Sequence, residues 1–147
     1  MSFAKQVDHT INTILIRAEN QHELLLGQCQ SEQDLTNTQE HILMLLEEEK
    51  HTNKELAEVL QVSQAAITKA CKQLVTLNLL ETVRDVKDAR VTYYQLSQAG
   101  QPIAQEHASH HAATQARYQA ISQKFTADEQ KIIQRFLSEL ERTLEQS

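Results

Sequence analysis

Apolar side chains recur at steps of three and four along the N-terminal part of the chain. This spacing places them on one face of an α-helix. The series predicts an amphipathic helix of about seven turns that ends near Gly27, and the polar residues 28–35 that follow predict a loop. Its members are Phe3, Val7, Ile11, Ile14, Leu15, Ala18, His22, Leu25 and Leu26.

The middle of the chain shows three N-cap signals, each followed by a helical apolar pattern. Thr36 stands three residues before Gln39, which is the spacing of a capping box, and the apolar run 42–46 comes next. Thr52 and Ser63 are N-cap candidates for two short helices separated by a turn. The pair predicts a helix-turn-helix, with its apolar positions at Leu56, Ala57, Leu60, Ile67, Ala70, Cys71 and Leu74.

A β-hairpin and a long helix are predicted next along the chain. Residues 79–83 and 91–96 are short runs rich in β-branched and aromatic residues, which is typical of strands. The charged segment 84–90 between them predicts the tip of a wing. Gly100 and Pro102 mark the start of the long helix, because proline is tolerated in a first helical turn.

The terminal helices carry apolar faces that a small winged domain does not cover. The long helix runs to about residue 124, and a last helix opens at Thr126 or Asp128, with the stripe Ile133, Phe136, Leu137, Leu140 and Leu144. We expect these helices to pack together and against a second copy in a symmetric dimer. The predicted fold class is mainly α, with a winged helix-turn-helix at residues 35–96 and long dimerisation helices, which also carry metal ligands, at residues 1–34 and 97–147.

Composition narrows the classes of protein that this chain can represent. It has 147 residues and a formal net charge of −6, which excludes a protein that coats nucleic acid or an anionic membrane over its whole surface. The longest purely apolar run, residues 42–46, is too short to span a bilayer, and the N-terminus lacks the apolar segment of a signal peptide. We therefore expect a soluble, cytoplasmic protein with no membrane partner, in which Cys29 and Cys71 remain thiols.

The predicted winged region differs in charge from the rest of the chain. Residues 50–96 hold seven Lys or Arg and five Asp or Glu, a net charge of +2, whereas the remainder carries −8. The second helix of the pair leaves a polar face suited to base edges and phosphates. An ordinary solvent-exposed face is the alternative, but capped helix, turn, capped helix and basic hairpin in this order favour DNA binding. The candidate DNA contacts are Ser63, Gln64, Ala65, Thr68, Lys69, Lys72, Lys87 and Arg90.

Nitrogen, sulfur and carboxylate donors of the kind that zinc accepts cluster in three segments. His107 and His111 are four residues apart, so two imidazoles share one helix face. The better-supported site comprises Glu23, His41, His107 and His111; a second, softer site comprises Cys29, Glu40 and Glu106, with water to complete it. The alternative for the histidine pair is an exposed polar helix face. A closed four-ligand site is structural or regulatory rather than catalytic, and no HExxH motif is present.

Residues 35–96 resemble the MarR family of winged helix-turn-helix repressors. The matching motifs are the helix-turn-helix LAEVLQVSQAAITKACKQL and the wing DVKDARV. Within that family the chain is similar to the zinc-responsive repressors, through AENQHELLLGQC, LTNTQEHILMLL and AQEHASHH.

The resemblance implies roles for the residues that carry it. The two donor sets would be a primary and a secondary zinc site, with zinc as corepressor for zinc-uptake genes. Asn37 and Gln39 would belong to a hydrogen-bond network that relays the zinc site to the DNA-binding helix. Residues 63–72 would enter the major groove, and Arg90 would reach the minor groove.

These patterns lead to one expected function and to several alternatives. We expect a homodimeric repressor that zinc activates to bind double-stranded operator DNA. A MarR-type repressor released by a small organic ligand is the first alternative, and it needs an apolar crevice. A zinc-dependent hydrolase lacks a general base beside an open metal position, and a metal buffer leaves the helix-turn-helix unexplained. We therefore expect neither an enzyme nor a small organic substrate.

Overall fold

The computed structural model describes residues 1–19 and 34–147, and within them it contains six α-helices and one three-stranded sheet. The described residues form two compact units, 1–111 and 112–147. None of the described helices is both long enough and apolar enough to cross a membrane. In chain order the elements are α1 (Phe3–Ala18), α2 (Asn37–Glu48), β1 (His51–Thr52), α3 (Asn53–Leu60), α4 (Gln64–Thr76), β2 (Leu80–Arg84), β3 (Thr92–Leu96), α5 (Gly100–Ser122) and α6 (Ala127–Glu145).

The predicted N-caps are confirmed, because each hydroxyl accepts a hydrogen bond from a backbone N–H of the first turn. Thr36 and Gln39 form a reciprocal capping box at the start of α2. Thr52 accepts from the N–H of Glu55, and Ser63 accepts from the N–H of Ala66. Such caps satisfy donors that a helix leaves unpaired at its N-terminus, which explains why these helices begin where the sequence predicts.

The sheet contains the predicted hairpin and one strand that the sequence did not reveal. Strands β2 and β3 pair antiparallel, with Leu80 opposite Leu96 and Arg84 opposite Thr92. Strand β1 pairs with the other edge of β3, with His51 opposite Tyr94. Only two residues long, β1 is too short to show the alternation that identifies a strand.

The buried core of the 1–111 unit lies between α2, α3, α4 and the sheet. Leu35, the last residue of the predicted loop, is non-helical as predicted, and its side chain is buried in this core. Cys71 is fully buried, and burial raises the pKa of its thiol to about 12. It therefore packs as a small hydrophobe, as the sequence predicted. The buried apolar residues of α2 to α4 include Ile42, Leu43, Leu46, Leu56, Ile67, Ala70 and Leu74.

Helix α5 begins in close contact with the segment that joins α4 to β2. The N–H of Gly100 donates to both the carbonyl and the hydroxyl of Ser97, at 3.1 and 3.0 Å. Ser97 in turn donates its backbone N–H to Leu79 and its hydroxyl to the carbonyl of Asn78. A Cβ on Gly100 would lie 2.0 Å from the Leu79 carbonyl oxygen, so only glycine fits at this position.

The 112–147 unit is a helical hairpin with an exposed apolar groove. Thr126 and Glu129 form a capping box at the start of α6, and Gln130 Nε2 donates to the carbonyls of Ser122 and Phe125. The groove encloses about 410 Å³, and its apolar lining includes Tyr118, Ile121, Phe125, Ile133 and Leu137, all exposed. These exposed apolar side chains lie on the helices for which the sequence predicts a role in dimerisation.

The first helix is also amphipathic and exposed. It runs from Phe3 to Ala18 and has no buried residue, and Phe3, Leu15 and Ile16 are among its exposed apolar side chains. The rest of the predicted seven-turn helix, including its end near Gly27, lies outside the described residues.

Candidate functional site

All of the predicted DNA contacts on α4 are exposed. The stripe of Ile67, Ala70, Cys71 and Leu74 is buried on the opposite side, which leaves a polar face toward solvent. We call this face, together with the wing residues Lys87 and Arg90, the DNA-reading surface, after the role that the sequence predicts for it. Its members on α4 and at the N-cap are Ser63, Gln64, Ala65, Thr68, Lys69 and Lys72.

One side chain that supports this surface was missed in the sequence. Asn53, at the start of α3, donates from Nδ2 to the hydroxyl of Thr68 on α4 at 2.8 Å. The bond joins the two helices of the helix-turn-helix across 15 residues of sequence. No local pattern indicates such a bond, because it depends on how the two helices cross.

The wing is organised by two carboxylates of its DVKDARV motif. Asp85 Oδ1 accepts from the backbone N–H groups of Lys87 and Asp88, at 2.7 and 3.2 Å, and Oδ2 accepts from the Tyr93 hydroxyl. Asp88 accepts from Nε and Nη2 of Arg90 at 3.1 and 3.2 Å. Arg90 is thus held in one orientation while its side chain remains 91% exposed.

These bonds shift the pKa values of both carboxyl groups. The N–H of Lys87, with that of Asp88 and the Tyr93 hydroxyl, lowers the pKa of Asp85. The guanidinium of Arg90 lowers the pKa of Asp88. Because both folded-state values lie below the ordinary Asp pKa of about 3.9, the stabilisation is present above that pH and is lost as the pH falls through the folded values.

Lys72 is expected to contact a DNA phosphate, because it lies on the exposed face of α4. Replacing it with alanine should weaken binding to all sequences alike and flatten the slope of log affinity against log salt by about 0.9 for each phosphate that the dimer no longer neutralises. Fluorescence anisotropy over a salt series measures this slope. Lys131→Ala, on α6, is the matched control. An unchanged slope for Lys72→Ala would remove this residue from the interface.

Four of the predicted metal donors are brought together in pairs between α2 and α5. Glu40 Oε1 lies 3.4 Å from Nδ1 of His107, and both side chains are buried. The rings of His41 and His111 are 5.4 Å apart between centroids, at an interplanar angle of 73°. Each pair joins one residue of α2 to one residue of α5. The two histidines that the sequence places on one face of α5 therefore each lie close to a donor on the adjacent helix α2.

The hydrogen bond made by His41 suits a metal ligand. Its Nδ1 lies 2.8 Å from the carbonyl oxygen of Asn37. A carbonyl only accepts, so Nδ1 carries the hydrogen and a neutral ring keeps its lone pair on Nε2. Histidine ligands of metals are commonly oriented by such a bond from the other ring nitrogen. The donor chemistry and this tautomer therefore fit zinc.

The remaining predicted ligands are placed as follows. Glu106 lies half-buried on α5, one residue before His107. Glu23 and Cys29 lie outside the described residues. Within the described ranges 1–19 and 34–147, no group of three His, Cys, Asp or Glu side chains is arranged to hold a metal ion. Each predicted site thus has one member, Glu23 or Cys29, in the segment that the structure leaves undescribed.

A hydrogen bond connects the donor-bearing helix α2 to α4. Gln39 Nε2 donates to Oε1 of Gln73 at 2.7 Å, while the Gln39 carbonyl oxygen of the side chain accepts from the N–H of Thr36. Gln39 is buried. Gln73 was missed in the sequence, because its importance depends on a partner 34 residues away.

A polar cavity of about 680 Å³ lies between the end of α2, the sheet and the start of α5. Its lining is mostly glutamine and charged side chains, such as Glu47, Lys50 and Glu81. This cavity does not match the apolar crevice that a repressor released by a small organic ligand needs.

Comparison with known proteins places this fold and surface among transcriptional regulators. Residues 25–107 match the family model described as transcriptional regulator SarA/Rot. The transcriptional regulator AdcR of Streptococcus pneumoniae is 56% identical over 93% of this chain and 94% of that protein. The structure of Lactococcus lactis wild-type ZitR in complex with DNA has a TM-score of 0.85 and 47% identity, covering 98% of this chain and 99% of that one. The structure of the MarR-family regulator AdcR in the Zn(II)-bound state has a TM-score of 0.73 and 53% identity, with the same coverage.

A capped helix-turn-helix followed by an ordered wing defines the class of winged helix-turn-helix transcriptional regulators. Within this class, identity of this extent shows that the chain belongs to the MarR family, in the group formed by AdcR and ZitR. The relatives in this group are transcriptional regulators, a non-enzymatic role.

Proposed function

We propose that this chain is a zinc-dependent transcriptional repressor that binds operator DNA as a homodimer, with zinc as corepressor for zinc-uptake genes. The observation that carries the proposal is the position of α2. It pairs donors with α5 through Glu40 and His41 and is bonded to α4 through Gln39. The same helix thus carries two of the predicted metal donors and contacts the helix that presents the DNA-reading surface.

The proposed primary zinc site comprises Glu23, His41, His107 and His111, and the proposed secondary site comprises Cys29, Glu40 and Glu106. Two imidazoles of the primary set, His41 and His111, are already within ring contact. His107 of that set is beside Glu40 of the other. The two proposed sites would therefore be neighbours, with Glu40 and His107 buried between α2 and α5.

Zinc bound at the primary site would hold the segment that carries Glu23, α2 and α5 together by coordination. The protein's own contribution is to favour one arrangement of these elements. Asn37 orients the His41 ring, and the hydrogen bond from Gln39 to Gln73 couples the position of α2 to that of α4. The coupling needs only about 1–3 kcal/mol of preference for the DNA-competent arrangement.

The proposed dimer uses the apolar faces of the terminal helices. Exposed apolar side chains along α1, α5 and α6 would be covered by a second copy. Two recognition helices in a symmetric dimer read half-sites about 34 Å apart, one turn of B-DNA. The charge distribution supports DNA contact through the winged region, because residues 50–96 are net positive and the rest of the chain is net negative. Catalysis forms no part of the proposal.

Zinc and operator DNA are expected to bind with positive linkage. Operator affinity should rise about 5- to 150-fold in zinc over chelator, and DNA should tighten zinc binding by the same factor. The measurement is anisotropy titration of a zinc-uptake promoter fragment, with zinc and with a chelator, and a scrambled duplex as control. Equal operator affinity in both conditions would overturn zinc activation.

A further inference from the structure

The hydroxyl of Thr68, on the exposed face of α4, is already engaged within the protein. It donates to the carbonyl of Gln64 at 2.9 Å and accepts from Nδ2 of Asn53 at 2.8 Å. A threonine hydroxyl has a single hydrogen, and a carbonyl only accepts. The hydrogen of Thr68 is therefore committed to Gln64, and none is left to donate to a DNA base.

The same count of hydrogen-bond donors and acceptors fixes the orientation of the Asn53 amide. Because Thr68 gives its hydrogen to Gln64, the Asn53 atom that faces the hydroxyl must be the donor nitrogen. Asn53 is half-buried at the first position of α3, directly after the N-cap Thr52. It is thus anchored on the supporting helix rather than on the helix that carries the DNA-reading surface.

The group of Thr68 that remains available is its methyl. Thr68 is exposed on a face where Gln64, Ala65 and Lys72 are also exposed. In the major groove, the apolar feature of a base edge is the 5-methyl group of thymine, and a threonine methyl is a suitable contact for it. With its hydroxyl turned back to Asn53 and Gln64, Thr68 presents this group.

We propose that Asn53 is a positioning residue of the DNA-reading surface and that Thr68, held by it, is a specificity residue that recognises thymine through its methyl group. The inference rests on the proposed function, since it concerns the way in which the repressor distinguishes DNA sequences. It assigns a role to Asn53, which the sequence patterns did not single out. It also excludes one role for Thr68, that of a hydrogen-bond donor to a base.

The test uses DNA that differs by one methyl group. The probe is the duplex that the zinc-loaded full chain selects from a random-sequence library, compared with versions in which each thymine in turn is replaced by uracil. The wild-type chain should lose about fourfold in affinity at one thymine of each half-site, the value for one buried methyl group. At that position Thr68→Ser should lose the preference for thymine. Thr68→Val should keep it, because valine in a helix has one strongly preferred χ1 rotamer and holds its methyl groups without a bond from Asn53.

A variant of Asn53 tests the positioning role. Asn53→Ala releases the Thr68 side chain, so the preference for thymine over uracil should fall toward one, while the salt slope stays at the wild-type value because no phosphate contact changes. Circular dichroism confirms that the variant is folded, and Val59→Ala, an exposed change on the same helix, is the control.

The possible contrary results overturn different parts of the proposal. A wild-type chain that selects a duplex but shows no thymine-to-uracil effect overturns the methyl contact. If Thr68→Val loses affinity for the duplex and Thr68→Ser retains it, the hydroxyl accepts a hydrogen bond from a base amino group. That result also overturns the methyl contact. Unchanged discrimination in Asn53→Ala overturns the positioning role. If the zinc-loaded chain selects no duplex at all, the proposed function itself fails.

Discussion

His107→Ala is expected to abolish both high-affinity zinc binding and the zinc-dependent gain in operator affinity. His107 supplies one of the four proposed primary ligands, and its ring is buried beside Glu40 between α2 and α5. Removing it opens the coordination shell and also leaves the buried carboxylate of Glu40 without this imidazole. The ratio of operator affinities with zinc and with chelator should fall from about 5–150 to about 1. Competition with a chromophoric chelator measures the zinc affinity, and anisotropy measures the DNA affinity.

Three further variants make this result interpretable. His9→Ala, an exposed histidine on α1, should leave both affinities unchanged. His111→Ala removes a half-buried ring that contacts His41 and should reproduce the loss without the cavity that His107→Ala leaves in the interior. Cys29→Ala should retain most of the response, because the four proposed primary ligands would supply the usual four donors of a zinc site without it. If Cys29→Ala lost as much operator affinity as His107→Ala, the cysteine site would be the sensor and our ranking of the two sites would be wrong.

Gly100→Ala is expected to destabilise the fold by about 3 kcal/mol, as overpacking at a rigid contact does. The new Cβ would lie 2.0 Å from the Leu79 carbonyl oxygen and 2.9 Å from its carbonyl carbon. Both are backbone atoms, so the contact is relieved only by moving α5 away from the segment that joins α4 to β2. That movement also stretches the bonds from Gly100 N–H to Ser97.

Thermal unfolding of Gly100→Ala and of the wild type in chelator, at one fixed protein concentration, measures this loss of stability. A loss of this size lowers the melting temperature of a chain of this length by about 10 °C. Gln101→Ala, an exposed change one residue further along α5, should stay within about 0.5 kcal/mol of the wild type. A melting temperature for Gly100→Ala within about 2 °C of the wild type would contradict the close contact. A shift of about 2 °C corresponds to a change of about 0.6 kcal/mol in the free energy of unfolding.

The features predicted correctly from the sequence are those that depend on neighbours within a few residues. The N-caps at Thr36, Thr52 and Ser63 are confirmed because a cap hydroxyl needs only the N–H of its own first turn. The buried stripe of α4 is confirmed because helical periodicity alone places its members on one side. The charge contrast between residues 50–96 and the rest required only a count.

The features that the sequence did not reveal all depend on a distant partner. Strand β1 exists because β3 is adjacent to it, and Leu35 is buried because a non-helical segment passes over the core. The bonds from Gln39 to Gln73 and from Asn53 to Thr68 span 34 and 15 residues. Glutamine and asparagine are common on exposed surfaces, so their type alone gives no sign of such a bond.

The predicted metal donors on α2 and α5 show which features follow from the sequence and which from the tertiary structure. Sequence spacing alone determined that His107 and His111 share a face of one helix, since four residues advance an α-helix by about one turn. Only the tertiary structure decided that His111 lies against His41 and that His107 lies against Glu40. The reason is that helix periodicity is a local property of the backbone, whereas the placement of α5 beside α2 is set by the packing of residues far apart in the chain.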